Sequence, residues 1–420
     1  IRLAVDARKL TDFGIGTYLS HLLSGLAWHD EFELTVVIRP EHVGRVAALA
    51  PEAHTLPVSA RGYGIGEHIA LPAALWRERL DLVHVPHYVV PRLIPRPIVV
   101  TVHDVIQLFY PPHGRSVQAL LYLRFMLRSA LRRARRVITV SRTSRRDLIN
   151  LFGADPDRVD VVQNGVDERL AERPPAERLD EVKQRFGLRP PLVLVVANDK
   201  PHKNLDVVLR AFHLACRERS LPGQLVLVGG VGRDHPLTRR AQQLGLDGRV
   251  CGLGRVSHGD LHALYHLSSV LLHPARYEGF GLPVLEAMRC GLPVVTSNIG
   301  AMRDLGEGAA RLVNPLDVAE VAAALERVLV DDSLRRRMIE AANQIAQLAY
   351  SDKPLEGVID EAEQALMKAS ERVTSHNALP LTEILAEVYA EIEQAAMNGQ
   401  EIIGLQSGFS DLDQILNGLQ

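Results

Sequence analysis

The chain has 420 residues, more than one ordinary hydrophobic core accommodates, so its length predicts two or three domains. Its composition is that of a globular protein, with 47% hydrophobic residues, 23% charged residues and a formal net charge of −2, which argues against a globally basic nucleic-acid binder. The three cysteines are far apart and include no CxxC pair. This spacing argues against a disulfide framework or a zinc ribbon and favours a reducing compartment.

No targeting or membrane-spanning segment is evident in the sequence. The first residues, IRLAVDARKL, lack the basic and long apolar regions of a signal peptide. Pro, His and Asp interrupt the apolar window IPRPIVVTVHDVI well before the roughly 20 residues that a span requires. We therefore expect a cytoplasmic protein, with peripheral contact at the inner membrane surface as an open alternative.

Two series of short β-branched runs alternate with helical patterns along the chain. The first series is RLAVDA (2–7), ELTVVI (33–38), LVHVP (82–86), PIVVTVHD (97–104), RVITVS (136–141) and RVDVVQNG (158–165). The second series is LVLVVAN (192–198), QLVLVG (224–229), RVCGLG (249–254), SVLLHP (269–274), PVVTSN (293–298) and ARLV (310–313). Strands that are apolar on both faces and separated by helices predict two doubly wound α/β domains. In such domains, ligands bind at the carboxyl ends of the strands.

The segment HPARYEGFGLPVLEAMRCGLPVV follows one of these predicted strands. It places Glu278 in a glycine-containing turn and Glu286 in a helix that begins near Pro283. The N-terminus of such a helix can hold a phosphate, and a carboxylate can accept hydrogen bonds from sugar hydroxyls. A structural alternative is that Glu278 caps the helix and Glu286 is a solvated helix residue.

Three further loops follow predicted strands and carry candidate residues. NDKPHKN places Lys200 and Lys203 after a strand, where they could neutralise a phosphate or simply be surface lysines. DARKLTDFGIGTYL contains Gly14 and Gly16, which allow a close backbone approach to a ligand but also occur in turns for packing alone. TVHD puts His103, followed by an aspartate, at a strand end, where a histidine is often only a packed residue.

The segment YEGFGLPVLEAMRCGLPVV, with two glutamates in the spacing Glu-x7-Glu, resembles the signature of the family 4 retaining glycosyltransferases. These enzymes have the GT-B architecture of two facing Rossmann-like domains. GIGTYLSHLL, TVHD, VSRTSRRDL, VVQNGVD, KPHKN and LVGG follow the family's order, so the resemblance covers roughly residues 1–350. It implies that the protein transfers a hexose from a nucleotide-diphosphate sugar to a glycan or lipid-linked acceptor, as in polysaccharide biosynthesis.

The resemblance also implies roles for the donor-side residues. Glu286 would bind the ribose hydroxyls, and Glu278 would bind the hydroxyls of the donor sugar. Lys203 would neutralise the diphosphate, because the leaving group gains negative charge as the glycosidic bond breaks. Many relatives carry an arginine a few residues earlier, and here Lys200 is the nearest substitute. The backbone contacts to sugar and phosphate would come from Gly279, Phe280, Gly281 and Leu282.

On the acceptor side, the resemblance places His103 near the anomeric carbon, with Asp104 orienting it. The loop with Gly14 and Gly16 would lie against the donor phosphate and the acceptor. The leaving diphosphate is expected to help deprotonate the acceptor on the same face, so His103 is a positioning and electrostatic residue. No metal or cofactor is implied, because the sequence has no DxD-type carboxylate pair at a strand end. GDP-mannose is the leading donor, although the local residues do not discriminate GDP from UDP or ADP.

The implied domains are an acceptor-side domain over residues 1–175, which a helix near 345–365 rejoins, and a donor domain over 185–345. A separate helical tail over 370–420 lies outside this pattern. Its segment GLQSGFSDLDQILNGLQ resembles the linker and motor-domain entrance of a bacterial replicative hexameric helicase. The tail contains no GxxxxGK[ST], so helicase activity is not expected. Its apolar stripe could drive self-association, and a fusion or artefact would explain the tail as well.

The region from Arg124 to Arg146 holds nine arginines. It could form an amphipathic helix whose basic face docks on a membrane or a lipid-diphosphate acceptor, or it could be a solvated face. No recognition motif supports nucleic-acid binding. Two alternative functions also stay open. One is another GT-B sugar-nucleotide enzyme, such as an epimerase, and the other is a non-catalytic assembly module.

Overall fold

The protein is described by a computed structural model that covers residues 1–12, 14–59, 67–94, 97–111, 117–218, 221 and 223–330. Within these ranges, the chain forms one seven-stranded and one six-stranded sheet, and every pair of neighbouring strands is parallel. The predicted α/β class with two doubly wound domains is therefore confirmed. The helix predicted near 345–365 and the tail predicted over 370–420 lie outside the described residues.

The first domain alternates strands with helices. Its elements are β1 (Arg2–Asp6), α1 (Ile15–Leu26), β2 (Glu33–Ile38), α2 (Val43–Leu49), β3 (His54–Pro57), α3 (Glu67–Leu75), β4 (Leu82–Val85), β5 (Ile98–Thr101), α4 (Ile106–Phe109), α5 (Val117–Arg133), β6 (Arg136–Thr139), α6 (Arg142–Phe152) and β7 (Val159–Val161). The sheet order is β3-β2-β1-β4-β5-β6-β7. The strand order reverses between β1 and β4, which makes their carboxyl ends the switch point of this sheet.

Alternating residues of β1 show why this sheet is covered on both faces. Val5 packs with α1 through Leu19 and Leu23, whereas its neighbour Ala4 packs in the cluster that contains Leu75 of α3 and residues of α5. Successive side chains of a strand point to opposite faces, so an uninterrupted apolar strand requires a helical layer on each side. Helices α1 and α2 therefore form one layer, and α3 and α5 contribute to the other.

The second domain repeats the same plan. Its elements are α7 (Ala176–Phe186), β8 (Leu192–Ala197), α8 (Leu205–Glu218), β9 (Gln224–Gly229), α9 (Pro236–Gln243), β10 (Val250–Gly254), α10 (His258–Leu267), β11 (Val270–His273), α11 (Leu282–Arg289), β12 (Val294–Ser297), α12 (Gly300–Gly306), β13 (Arg311–Val313) and α13 (Val318–Val330). The sheet order is β10-β9-β8-β11-β12-β13, so its switch point lies between β8 and β11.

The sequence predicts each described strand except β3. The residues of β3, HTLP, are half-exposed or exposed, and the strand lies at the edge of its sheet. An edge strand has one neighbour instead of two, so it can form without the continuous apolar run that identifies a central strand. In the described part of the chain, no helix is both long and apolar enough to cross a bilayer.

Candidate active site

Two loops meet at the switch point of the second sheet. The β8 loop carries Lys203 at the end of a 3₁₀ turn, and the β11 loop carries Glu278. The Lys203 ammonium donates to Glu278 Oε1 in an ion pair whose side chains are only 12% and 11% exposed. His273, the last residue of β11, donates from Nε2 to the same oxygen over 2.9 Å. The predicted phosphate cation and the predicted sugar carboxylate are thus in direct contact.

Glu278 is kept ionised by its protein neighbours. Burial alone would raise the pKa of this carboxyl, but the Lys203 charge and the hydrogen bond from His273 outweigh that effect. Together they hold the pKa of Glu278 well below its ordinary range. The site therefore presents a buried carboxylate as a hydrogen-bond acceptor at neutral pH, together with a lysine whose charge a diphosphate can take over.

Glu286 lies in α11, behind the Glu278 loop, and a buried tyrosine orients it. Tyr265 of α10 donates from its hydroxyl to Glu286 Oε2 over 2.6 Å. Burial raises the pKa of Glu286, and the hydrogen bond from Tyr265 opposes that rise. Among the described residues, Oε1 of Glu286 has no hydrogen-bond partner, so this oxygen is available to a ligand hydroxyl.

The loop before α11 requires glycine at two positions. Gly279 lies so close to the first domain that an added Cβ would be 2.8 Å from Asp104 Cβ. Gly281 has a φ of 104° and precedes the first helical residue, Leu282. A side chain at Gly281 would also collide with Met302 of α12. With Phe280 buried between them, the two glycines bring backbone N–H groups and the first turn of α11 to the cleft.

His103 follows β5 and faces an aromatic neighbour in the first domain. The ring of Tyr18 from α1 meets the imidazole edge-on at 4.8 Å between centroids. Burial lowers the pKa of His103 to about 4, although a hydrogen bond to the Pro86 carbonyl opposes the shift. Within the described ranges, the buried Nε2 atom of His103 has no hydrogen-bond partner. His103 thus has a neutral imidazole with one unpaired nitrogen, and its backbone carbonyl lies next to Gly279.

The predicted role of Asp104 in orienting His103 is wrong in this structure. Asp104 Oδ1 accepts instead from the backbone N–H of Ile106 at 3.0 Å, because the carboxylate turns toward the start of α4. The hydrogen bond that holds the imidazole comes from the Pro86 carbonyl. Burial raises the pKa of Asp104, and the nearby Glu278 charge raises it further, while Lys203 opposes both. The Asp104 carboxyl therefore interacts electrostatically with the charges of the cleft and does not orient His103.

The two glycines after β1 serve different purposes. Gly16 is buried in the first turn of α1, where an added Cβ would collide with the Leu10 carbonyl, so this glycine serves packing. Gly14 has a φ of 66°, and a Cβ added there would meet no atom within 4 Å, so its backbone faces open space. Only Gly14 therefore has the accessible backbone that the predicted ligand contact needs.

Two side-chain contacts join the two domains around this cleft, and a third holds the first-domain side of it together. Tyr277 donates to Asp147 Oδ2 over 2.6 Å, next to Glu278. Ser144 donates to the His103 carbonyl at 3.0 Å and approaches the Gly279 carbonyl at 3.4 Å. All of these residues lie on α6 or on the loops already described. The helix that carries the VSRTSRRDL segment thus connects both halves of the candidate site.

Lys200, the predicted second phosphate cation, is exposed at the start of the 3₁₀ turn that ends at Lys203. Its charge lowers the pKa of Asp104, although burial of Asp104 and the charges of Glu278 and Lys203 have larger effects. Lys200 therefore lies near enough to the cleft for its charge to act on Asp104. A direct contact between Lys200 and a ligand stays a prediction.

The sequence reasoning missed three residues that orient the predicted ones: His273, Tyr265 and Tyr18. His273 could have been found, because a histidine at the last position of a buried strand requires a polar partner. Tyr265 lies 21 positions before its partner Glu286, and Tyr18 lies far from His103, so neither pairing has a local signal. The helix-capping alternative for Glu278 is wrong, because the N-cap residue is Gly281 without a side-chain cap.

A cleft between two doubly wound domains, with a cation and carboxylates at strand ends, is the arrangement of a two-domain glycosyltransferase. The chain belongs to the family 4 glycosyltransferases. The family model "Glycosyltransferase Family 4" matches residues 14–170, and the family model "Glycosyl transferases group 1" matches residues 177–345. O-antigen chain mannosyltransferase B of Escherichia coli is 33% identical over 268 residues, which are 63% of this chain and 69% of that protein.

Two further similarities extend this comparison. Serotype-specific mannosyltransferase WbdA of Escherichia coli is 30% identical over 221 residues, which cover 52% of this chain and 27% of WbdA. The crystal structure of Anabaena Alr3699/HepE in complex with UDP-glucose has a TM-score of 0.66 at 20% identity and covers 88% of this chain and 99% of its own. At that identity the similarity shows the fold alone. The helicase-like tail lies beyond both matched family models and stays a prediction.

Proposed function

We propose that the protein is a retaining hexosyltransferase that moves mannose from GDP-mannose to a glycan or lipid-linked acceptor. The observation that carries this proposal is the buried Lys203–Glu278 ion pair at the switch point, together with a histidine of the first domain, His103, whose Nε2 atom is buried and unpaired. Two relatives are named as mannosyltransferases, which supports mannose as the sugar. Their O-antigen and serotype-specific names support a role in polysaccharide biosynthesis.

The donor's parts match the cleft one by one. Glu286 Oε1 accepts from a ribose hydroxyl, and Tyr265 fixes the orientation of the carboxylate. The diphosphate pairs with the Lys203 ammonium in place of Glu278. It also accepts hydrogen bonds from backbone N–H groups at the start of α11. Glu278, still held by His273, accepts from hydroxyls of the sugar. The exposed Lys200 and the open backbone at Gly14 supply further phosphate contacts from the two sides of the cleft.

The reaction breaks the bond between the anomeric carbon and the diphosphate oxygen, and that oxygen keeps the electron pair. The acceptor hydroxyl forms the new bond on the same face, and its proton passes to the departing diphosphate. Positive charge near the leaving oxygen stabilises this transition state. His103 directs Nε2 at the sugar and stabilises the positive charge that develops on it. Because the pKa of His103 is about 4, the imidazole stays neutral at pH 7.

We also propose that the reaction needs no metal ion. Lys203, Lys200 and the N-terminus of α11 offer the positive charge that a diphosphate leaving group requires. No group of three or more potential ligands that could hold a metal occurs in the described part of the chain. A cytoplasmic location, peripheral membrane contact through the Arg124–Arg146 region and self-association through the tail complete the proposal.

The first test is a thermal-shift panel of GDP, UDP, ADP and TDP, each free and as the sugar conjugate. A ligand at 100 times its dissociation constant stabilises the folded state by roughly 2.7 kcal/mol. We expect GDP and GDP-mannose to stabilise the intact chain and Glu286→Ala to abolish the effect. Glu218→Ala removes an exposed carboxylate of the same domain and should leave the shift unchanged.

Turnover is measured separately as GDP release with mannosylated acceptor mixtures. Stabilisation by UDP or ADP conjugates, but not by GDP-mannose, would reassign the donor. Stabilisation without any transfer, in the presence of both glycan and lipid-linked acceptors, would refute the transferase proposal. Transfer that gives the opposite anomeric configuration would refute retention. Loss of transfer on adding a metal chelator would refute metal independence.

A further inference from the structure

The outer layer of the first domain exposes large apolar side chains beside exposed arginines. The apolar members come from α3, the loop after β4 and the first half of α5. They are Trp76, Leu93, Leu121, Tyr122 and Phe125. The cations on the same surface are Arg92, Arg124 and Arg128. We call these eight residues the basic-apolar face.

Direct contacts show that these residues form one continuous surface. Trp76 donates from its indole nitrogen to the Leu93 carbonyl at 2.9 Å. The Arg92 guanidinium lies over the Phe125 ring, 5.0 Å from its centroid. Arg133, at the end of α5, donates to the Arg92 carbonyl at 2.8 Å and so fixes the loop against the helix. The apolar side chains from the three segments therefore lie side by side.

This exposure is unusual for an isolated surface. Trp76, Leu93 and Leu121 are each more than 60% exposed. Soluble proteins tolerate single exposed apolar residues, but a contiguous group of this size marks a binding surface. The opposite side of α5, which carries Leu127 and Ala130, is buried in the core, so the exposed residues are not needed to fold the helix.

The charges identify the kind of partner. Helix α5 contains four arginines and no acidic residue, although the whole chain has a net charge of −2. Arg124 and Arg128 form no ion pair with any carboxylate of the described residues. Apolar side chains flanked by arginines match an anionic lipid leaflet, in which the rings enter the headgroup region and the guanidinium groups bind phosphates.

The arginine-rich region as a whole does not form this surface. Arg136 pairs with Asp160, and Arg145 donates to the Val159 carbonyl, so both serve the fold of the first domain. From the predicted Arg124–Arg146 run, the basic-apolar face therefore takes only the first part, on α5. Trp76 and Leu93, the apolar residues of the face that follow α3 and β4, lie outside that run.

We propose that the basic-apolar face docks the protein peripherally on an anionic membrane leaflet. This inference rests on the peripheral membrane contact of the proposed function and deepens it, because it specifies which surface makes that contact and which lipid class it binds. It requires no particular donor. Vesicle binding is measured without nucleotide, so failure of the donor proposal would leave this test unaffected.

The test is cosedimentation of the intact chain with vesicles of phosphatidylcholine alone or with about 30% phosphatidylglycerol. Leu121→Ser/Phe125→Ser removes the apolar contact, and Arg124→Gln/Arg128→Gln removes two charges. Each arginine near an anionic surface contributes about fivefold in affinity, so the charge variant should bind roughly 25-fold more weakly. The apolar variant should lose at least tenfold and keep its thermal stability.

Matched controls come from other surfaces of the chain. Trp28→Ser removes a more exposed apolar side chain, 87% accessible, just after the end of α1 in the opposite helical layer. Arg217→Gln/Arg239→Gln removes two exposed arginines of the second domain. Both controls should bind phosphatidylglycerol vesicles like the unchanged protein.

Three outcomes would overturn the proposal. One is equal binding to vesicles with and without phosphatidylglycerol, or no binding to either. A second is unchanged binding by both variants of the basic-apolar face. The third is a dimer that Leu121→Ser/Phe125→Ser converts to a monomer without a change in vesicle binding, which would assign the face to a second copy of the chain.

Discussion

Removing the Lys203 ammonium should destabilise the protein, because it leaves Glu278 charged and buried. Both side chains are nearly inaccessible to water, at 12% and 11% exposure, so solvent cannot replace the lost partner. Breaking a buried ion pair on one side costs about 3–5 kcal/mol. For Lys203→Met we expect about 3 kcal/mol, the lower end, because His273 still donates to the carboxylate. That corresponds to a fall in Tm of roughly 6–12 °C.

The pH dependence of this loss identifies its cause. In the unchanged protein the pKa of Glu278 is held below its ordinary value of 4.5, so the pair contributes stability above that pH and loses it as pH falls through the lowered pKa. In Lys203→Met, the Lys203 charge no longer lowers the pKa of Glu278, so burial raises that pKa relative to the unchanged protein. The Tm difference between the variant and the unchanged protein should therefore be largest at neutral pH and shrink as pH falls toward the lowered pKa of Glu278 in the unchanged protein.

Two companion variants make the measurement decisive. Lys203→Met/Glu278→Gln removes both charges and should recover most of the lost Tm, since a neutral amide can still accept from His273. Lys200→Met removes an exposed cation three positions earlier and should change stability by no more than about 0.5 kcal/mol. A Lys203→Met deficit that is independent of pH, or that Glu278→Gln fails to relieve, would refute the buried-charge explanation.

Three other predictions concern catalysis. Tyr265→Phe should raise the donor KM about 5- to 30-fold, because losing the hydrogen bond to Glu286 costs about 1–2 kcal/mol of binding free energy. The increase should be largest at low pH, because the already raised pKa of Glu286 rises further without that hydrogen bond. His103→Gln should lower kcat about 100-fold, and the unchanged enzyme should show no ionisation near pH 6.5 in kcat/KM, because the pKa of His103 is about 4. Gly279→Ala should lower kcat in donor turnover, because its Cβ would lie 2.8 Å from Asp104 Cβ and push the domains apart.

The strands could be predicted from the sequence because both sheets are buried on both faces. Strands such as β8 and β9 are apolar at nearly each position because helices cover both sides, so their sequences alone identify them. Strand β3 is the exception, since its pairing with β2 depends on an edge position that no local pattern marks. The order of the strands, by contrast, was not predicted, because periodicity carries no information on which strands are neighbours.

The candidate site was likewise predictable in part. The residues predicted to touch a ligand lie in the loops after strand ends or, as Glu286 does, in the helix that follows such a loop, so their positions in the chain predict their place in the cleft. Their supports do not: Tyr265 reaches Glu286 from another helix, and Pro86 holds His103 from a neighbouring strand's loop. The role that the resemblance implied for Asp104, as the support of His103, is not seen, because Asp104 accepts from the Ile106 backbone N–H instead. Asp104 follows His103 in the sequence, but its partner is the Ile106 backbone, whereas the partner of His103 is the Pro86 carbonyl.

We propose that the Lys203–Glu278 pair links stability and donor binding, because the donor would exchange partners with both members of the pair. Without a donor, each charge satisfies the other in a site that water hardly reaches. A diphosphate can bind Lys203 only if it replaces part of that interaction, and the sugar hydroxyls must then donate to the released Glu278 oxygen. A free nucleoside diphosphate supplies the first half of the exchange and lacks the second. The geometry therefore favours the intact sugar nucleotide over its diphosphate product, because only the donor satisfies both members of the pair at once.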